Sequence, residues 1–102
     1  MTGTVFESSV LVRPARTDAW AVGDVAGLTV DSLSSLLDGP DVPDILLIGC
    51  GPTFLPIPPG LVSAVRARGP VVEWMDTGAA CRTFNVLMIE ERHAAAALIA
   101  VD

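Results

Sequence analysis

Pro70–Arg92 reads PVVEWMDTGAACRTFNVLMIEER, and the change of rhythm inside it decides the fold. Val71–Met75 is a short run rich in β-branched and aromatic residues, which predicts a buried strand. After Asp76 the apolar spacing becomes helical and predicts a long helix from about Thr77 to Glu90. At about 100° per residue, Ala80, Phe84, Leu87 and Met88 share one side, the predicted core face. Asn85, Arg82, Glu90 and Thr83 fall within the opposite arc, in that angular order.

Upstream, Ile45–Ile48 (ILLI) is continuously apolar and ends at Gly49, the pattern of a strand buried on both faces. Gly60–Arg68 predicts a helix with Leu61, Val62 and Val65 inward and Gly69-Pro70 as its stop. Ser9–Arg13 and Ala19–Val22 predict two short strands of a hairpin, with a polar turn over Pro14–Asp18. Ser32–Leu37 predicts a short helix capped by Asp31. Ala94–Val101 closes the chain as a strand or a helix; the LIAV end favours strand. Strand, helix, strand, helix, strand is an α/β order, and the first pair, Ile45–Ile48 and Val71–Met75, should be parallel neighbours joined by a right-handed crossover. No repeat or linker interrupts residues 1–102, so one compact domain is expected.

Composition narrows the function classes. Six arginines face twelve acidic residues, lysine is absent, and the net charge is −6. That balance disfavours nucleic acid and anionic membranes, which need a basic surface, and the missing lysine excludes Schiff-base chemistry. No charged residue occurs from Ile45 to Val65, a length nominally sufficient to span a bilayer. Four prolines and three glycines break that stretch, so it predicts a strand and an apolar loop rather than an integral membrane helix. The amino terminus lacks the pattern of a signal peptide, and two cysteines do not make a secreted framework. A reduced, cytoplasmic protein is the expectation.

Parallel neighbours bring the Gly49-Cys50-Gly51 loop and the Asp76-Thr77-Gly78 turn to one sheet edge, where open α/β sheets commonly bind ligands. Asp76 or Thr77 can cap the helix, and its positive end favours an anion. Gly78, Ala79 and Ala80 allow close approach either of a ligand or of the sheet itself. Cys81, beside Arg82 in the first turn, has surroundings that favour thiolate. Against that, buried cysteine is a common small hydrophobe, and with no base nearby the structural reading of Cys81 is preferred. Arg82 is unfavourably placed for the helix dipole, which predicts a specific partner: Asp76, or a ligand carboxylate or phosphate. A Cys50–Cys81 contact also stays open.

Familiar catalytic sets are absent. Gly49-Cys50-Gly51 is only part of a dinucleotide fingerprint, since Pro52 follows and no helix starts there. There is no phosphate loop and no metal spacing, and His93 lies beyond the far end of the helix from Cys81. Glu90 and Glu91 are adjacent and do not form a dyad. No catalytic residue, metal or cofactor is assigned.

Together, SVLVRP (9–14), Trp20, LLIGCG (46–51), the Pro70–Arg92 run and AAALI (95–99) resemble the Mth938-domain family, known as a domain of unknown function. The resemblance implies a compact α/β fold with a mixed central sheet. It also implies a family surface carried here by Gly49, Gly51, Asp76, Thr77, Arg82, Thr83 and Asn85. Mitochondrial relatives look like assembly factors for respiratory complex I that work with a partner protein. The chain departs from the family pattern at Cys50 (often threonine), Phe84 (often tyrosine) and Glu91 (often glycine). The last change predicts loss of a left-handed helix cap.

The leading expectation is therefore a non-enzymatic interaction or assembly protein. It would use the cleft of Gly49, Cys50, Gly51, Asp76, Thr77, Gly78, Cys81, Arg82, Thr83 and Asn85. Beside that cleft, the apolar loop of Phe54, Leu55 and Ile57 is the candidate contact for a protein partner. The alternative is a small anionic ligand, bound or turned over at the Arg82 helix start; a third reading makes the polar cluster a buried structural network. A homo-oligomer stays open.

Overall fold

The computed structural model describes residues 9–14, 17–20, 22–23, 27–38 and 42–100. Strands β1 (Val10–Val12), β2 (Thr17–Ala19), β3 (Ile45–Gly49), β4 (Val71–Met75) and β5 (Ala94–Leu98) form one sheet. Its order is β2-β1-β5-β3-β4. Helices α1 (Ser34–Leu37), α2 (Leu61–Arg66) and α3 (Thr77–Ile89) flank it. β3 runs parallel to β4 and to β5, whereas β1 is antiparallel to β2 and β5. The sheet is mixed, and β3 and β4 are parallel neighbours as their order predicts.

The ambiguous carboxyl-terminal run is a strand, and its alanines have a structural reason. β5 lies between β1 and β3 and is buried at every position. Ala96 and Leu98 pack with Ala80, Cys81 and Phe84 of α3, while Ala95 and Ala97 join the larger cluster of Leu33, Leu46, Ile48 and Leu61 on the other face. Small side chains in a central strand let both layers approach closely, and burial on both faces removes the polar alternation that marks a half-exposed strand.

Several local expectations are corrected. The second hairpin strand is Thr17–Ala19, not Ala19–Val22, because Leu11 pairs with Asp18 and the Arg13 guanidinium holds Asp18 at 3.0 Å. Trp20 and Val22 are buried outside the ladder, in the larger cluster, with Trp20 Nε1 donating to Ser32 O at 2.8 Å. Asp31 does not cap its helix: it opens a 3-10 turn, Asp31–Leu33, that leads into α1. The reciprocal bonds between Thr29 and Ser32 organise this entry instead. Val62 points to solvent, and only Leu61 and Val65 anchor α2. β4 is an edge strand with Val71 and Glu73 exposed, not a strand buried on both faces.

The left-handed helix cap survives the loss of glycine. Glu91 adopts φ 58°, Arg92 N donates to Leu87 O at 2.9 Å, and Glu91 N donates to Met88 O at 3.1 Å. Those two bonds are the Schellman pair that closes a helix carboxyl end. The geometry is kept at the steric cost of a Cβ in the left-handed region.

Candidate functional site

β3 and β4 end side by side, and the chain leaves both toward the start of α3. There Thr77, only 1% exposed, ties three segments together. Its Oγ1 accepts from Gly51 N at 3.0 Å and donates to Ile99 O at 2.8 Å. Its own N–H donates to Gly51 O at 2.9 Å. Cys50 N donates to Met75 O at 2.8 Å, and Ile99 N donates to Gly49 O at 2.9 Å, closing the loop on both sides. Buried donors and acceptors at the ends of three elements thus satisfy one another.

The glycines follow from this junction. A Cβ on Gly49 would lie 2.7 Å from Thr77 Cα and 2.9 Å from Thr77 Oγ1. Only glycine lets β3 and α3 meet this closely. Gly51, at φ 115°, adopts a backbone conformation that side chains resist, and both its N–H and C=O are used by Thr77. The close approach that small residues permit here is that of one backbone to another.

Asp76 caps α3, its Oδ1 accepting from Ala79 N at 2.9 Å. With the Thr77 and Ala79 amides engaged and a carboxylate already in place, the helix start offers an added anion little. Arg82 is exposed, and its guanidinium makes no hydrogen bond or ion pair with a described residue. The expected Asp76 partner is close but unpaired. Arg82 Nη1 and Asp76 Oδ1 lie 3.5 Å and 3.4 Å from the point a Gly78 Cβ would occupy. Thr83 and Asn85, half-buried, continue this margin along α3.

Cys81 is 1% exposed and packs with Leu47, Leu98 and Phe84. Burial pushes its thiol upward from the ordinary value of 9.0, outweighing the nearby Arg82 charge. The preferred reading of Cys81 as a small buried hydrophobe holds, while the thiolate-favouring surroundings are outweighed, because desolvation penalises the charged form. Cys50 is also a free, buried thiol. Its Sγ receives Leu55 N at 3.3 Å and contacts Thr53 O at 3.4 Å, shaping the following loop rather than bridging to Cys81.

That loop carries the exposed apolar side chains. Phe54 is 67% exposed and Leu55 40%, while Ile57 folds back onto the core. Trp74 Nε1 holds Leu55 O at 2.7 Å, so the loop is fixed by Cys50 on one side and by β4 on the other. Sequence reading missed a second exposed pair, Val86 and Ile89. Both fall inside the arc described as polar, and plotting every residue of the helix, not only its polar ones, reveals them. An open groove of about 270 Å³ lies away from the predicted cleft, between Leu28–Val30 and Pro58–Leu61. Among the described residues no His, Cys, Asp or Glu cluster could hold a metal, and no helix is long and apolar enough to cross a membrane.

Residues 1–99 match the profile of the family described as "Protein of unknown function (DUF498/DUF598)". A solution structure of a Mth938-like domain from Bordetella pertussis superposes with a TM-score of 0.77 at 27% identity, covering 93% of this chain and 75% of that one. The chain belongs to the Mth938-like family. A crystal structure of a Bordetella parapertussis protein agrees better still, with a TM-score of 0.82 at 34% identity over 93% of this chain and 80% of that one. Among curated Mth938-like relatives, the NADH dehydrogenase [ubiquinone] 1 alpha subcomplex assembly factor 3 of Xenopus tropicalis is 38% identical. The match covers 86% of this chain and 48% of the relative. The chain spans about half the length of the curated assembly factors it matches.

Proposed function

We propose that this protein is a non-enzymatic assembly factor for a respiratory NADH–ubiquinone oxidoreductase, acting in the cytoplasm by binding a protein partner. The observation that carries this reading is Phe54, an aromatic side chain two-thirds exposed and next to Leu55, whose N–H and C=O are held by Cys50 and Trp74. A rigid, exposed aromatic loses little entropy on docking and supplies apolar area, the properties of an interface anchor. Similarity to proteins named as assembly factors supports the class of partner. Leu55 extends the anchor, with Asp76, Gly78, Arg82, Thr83 and Asn85 as the polar margin of the same surface. Gly49, Cys50, Gly51, Thr77 and Cys81 act from beneath, by setting the position of the loop and of the start of α3.

Deleting the gene in its native host, then restoring wild-type protein or Phe54→Asp, tests this. Loss of the assembled oxidoreductase on native gels, restored by wild type and not by Phe54→Asp, is the expected result. Phe54→Asp should unfold within about 0.5 kcal/mol of wild type, as exposed substitutions do. An intact complex in the deletion strain, or full rescue by Phe54→Asp, would overturn the proposal.

A further inference from the structure

β4 is an edge strand, and its backbone polarity can be assigned. Val71 N donates to Asp44 O and Met75 O accepts from Cys50 N, both at 2.8 Å and both toward the β3 side. By strand alternation, Glu73 also turns its peptide groups to β3, while Val72 and Trp74 direct theirs to the open side. No described strand lies beyond β4. The opposite edge, β2, is only three residues long and is tied through Asp18 to Arg13. Among the described residues β4 is therefore the longer free edge, five residues with Val71 43% exposed and Glu73 exposed. Met75 packs with the α3 cluster, and Val72 and Trp74 pack with the cluster on the other face. Val71, Glu73 and Met75 thus share the α3 face.

This arrangement discriminates between occupants. In antiparallel self-pairing, only the register centred on Glu73 uses the open groups of both Val72 and Trp74. That register sets Glu73 against its own copy in a non-hydrogen-bonded pair, where side chains come closest. Two carboxylates there repel, in a chain already carrying a net charge of −6. A strand with a cation at the same place is favoured instead.

We infer that the β4 edge receives an extended segment of a protein partner as a sixth strand. Its arginine or lysine lies opposite Glu73, and apolar residues two places to either side meet Val71 and Met75. Main-chain bonds to Val72 and Trp74 supply the attachment, and Glu73 supplies the selection. This rests on the reading of the protein as a partner-binding factor and specifies how the partner docks.

The test uses the full chain and two blocked peptides, Thr-Val-Thr-Lys-Thr-Val-Thr and its counterpart with Glu for Lys. Amide exchange by NMR should slow at Val72 and Trp74 with the Lys peptide, which should bind about fivefold tighter than the Glu peptide. Glu73→Lys should invert that preference. Glu73→Val should add concentration-dependent self-association in sedimentation, which the wild-type edge resists. Unchanged exchange at Val72 and Trp74 with the Lys peptide, or a Lys preference retained in Glu73→Lys, would overturn the inference. An edge that ignores both peptides while oxidoreductase assembly still depends on the protein removes this docking mode alone. An oxidoreductase that assembles without the protein removes the proposed function, and the peptide measurement still reads the edge.

Discussion

The Thr77 junction and the β4–Phe54 rim adjoin each other yet are built on opposite rules. At the junction every named donor has a partner inside the protein, and the glycines bring backbones into contact. At the rim, an aromatic side chain and a strand edge face outward on a scaffold held by Trp74 and Cys50. Polar residues clustered at a sheet edge suggest a binding cleft, but here much of their hydrogen-bonding capacity is spent on the fold. The exposed apolar side chains, Phe54, Leu55 and Val71, lie outside that network.

The sharpest way to break this contrast is Gly49→Ala. If the junction is packed backbone to backbone, the added methyl should cost about 3 kcal/mol, measured by urea unfolding. A substitution that leaves the midpoint unchanged would mean that the site has room for a ligand after all. Thr77→Val should cost about 2 kcal/mol, because it leaves Gly51 N–H and Ile99 C=O buried and unpaired. Thr77→Ser keeps the hydroxyl and should lose only about 1 kcal/mol for the missing methyl.

Cys81 sharpens the same comparison through pH. Its thiol is harder to ionise when folded, so above the ordinary value the folded state retains more protons than the unfolded chain. Stability should therefore be complete below pH 9.0 and fall as pH rises past it. Cys81→Ala should flatten that decline in unfolding scans, whereas a decline of equal steepness would assign it elsewhere. The smallest effect belongs to the far end of α3. Glu91→Gly should raise stability by about 0.5 kcal/mol, relieving a side chain held at φ 58°. A loss in thermal denaturation would mean that Glu91 makes a compensating contact.

Much of the architecture was legible because periodicity reports burial. ILLI and the Phe84-Leu87-Met88 spacing each had one economical solution, and Gly49 and Thr77 could be placed at the same sheet edge from connectivity. What those residues do there was not legible. A glycine near a helix start reads alike whether it admits a ligand or a threonine, and only the 2.7 Å approach to Thr77 Cα separates the two. The hairpin register was also missed, because Trp20 and Val22 alternate like a strand while being buried outside the ladder.

By itself the sequence determined the α/β order, the parallel pair and the family resemblance, since each rests on residue type and spacing along the chain. Tertiary structure alone decided that β4 is an edge, that β5 is the central alanine strand, that Cys81 is pushed away from thiolate, and that the Thr77 hydroxyl is fully engaged. Those outcomes depend on which distant segments meet. Desolvation and hydrogen-bond satisfaction are properties of that meeting, and local sequence does not carry them.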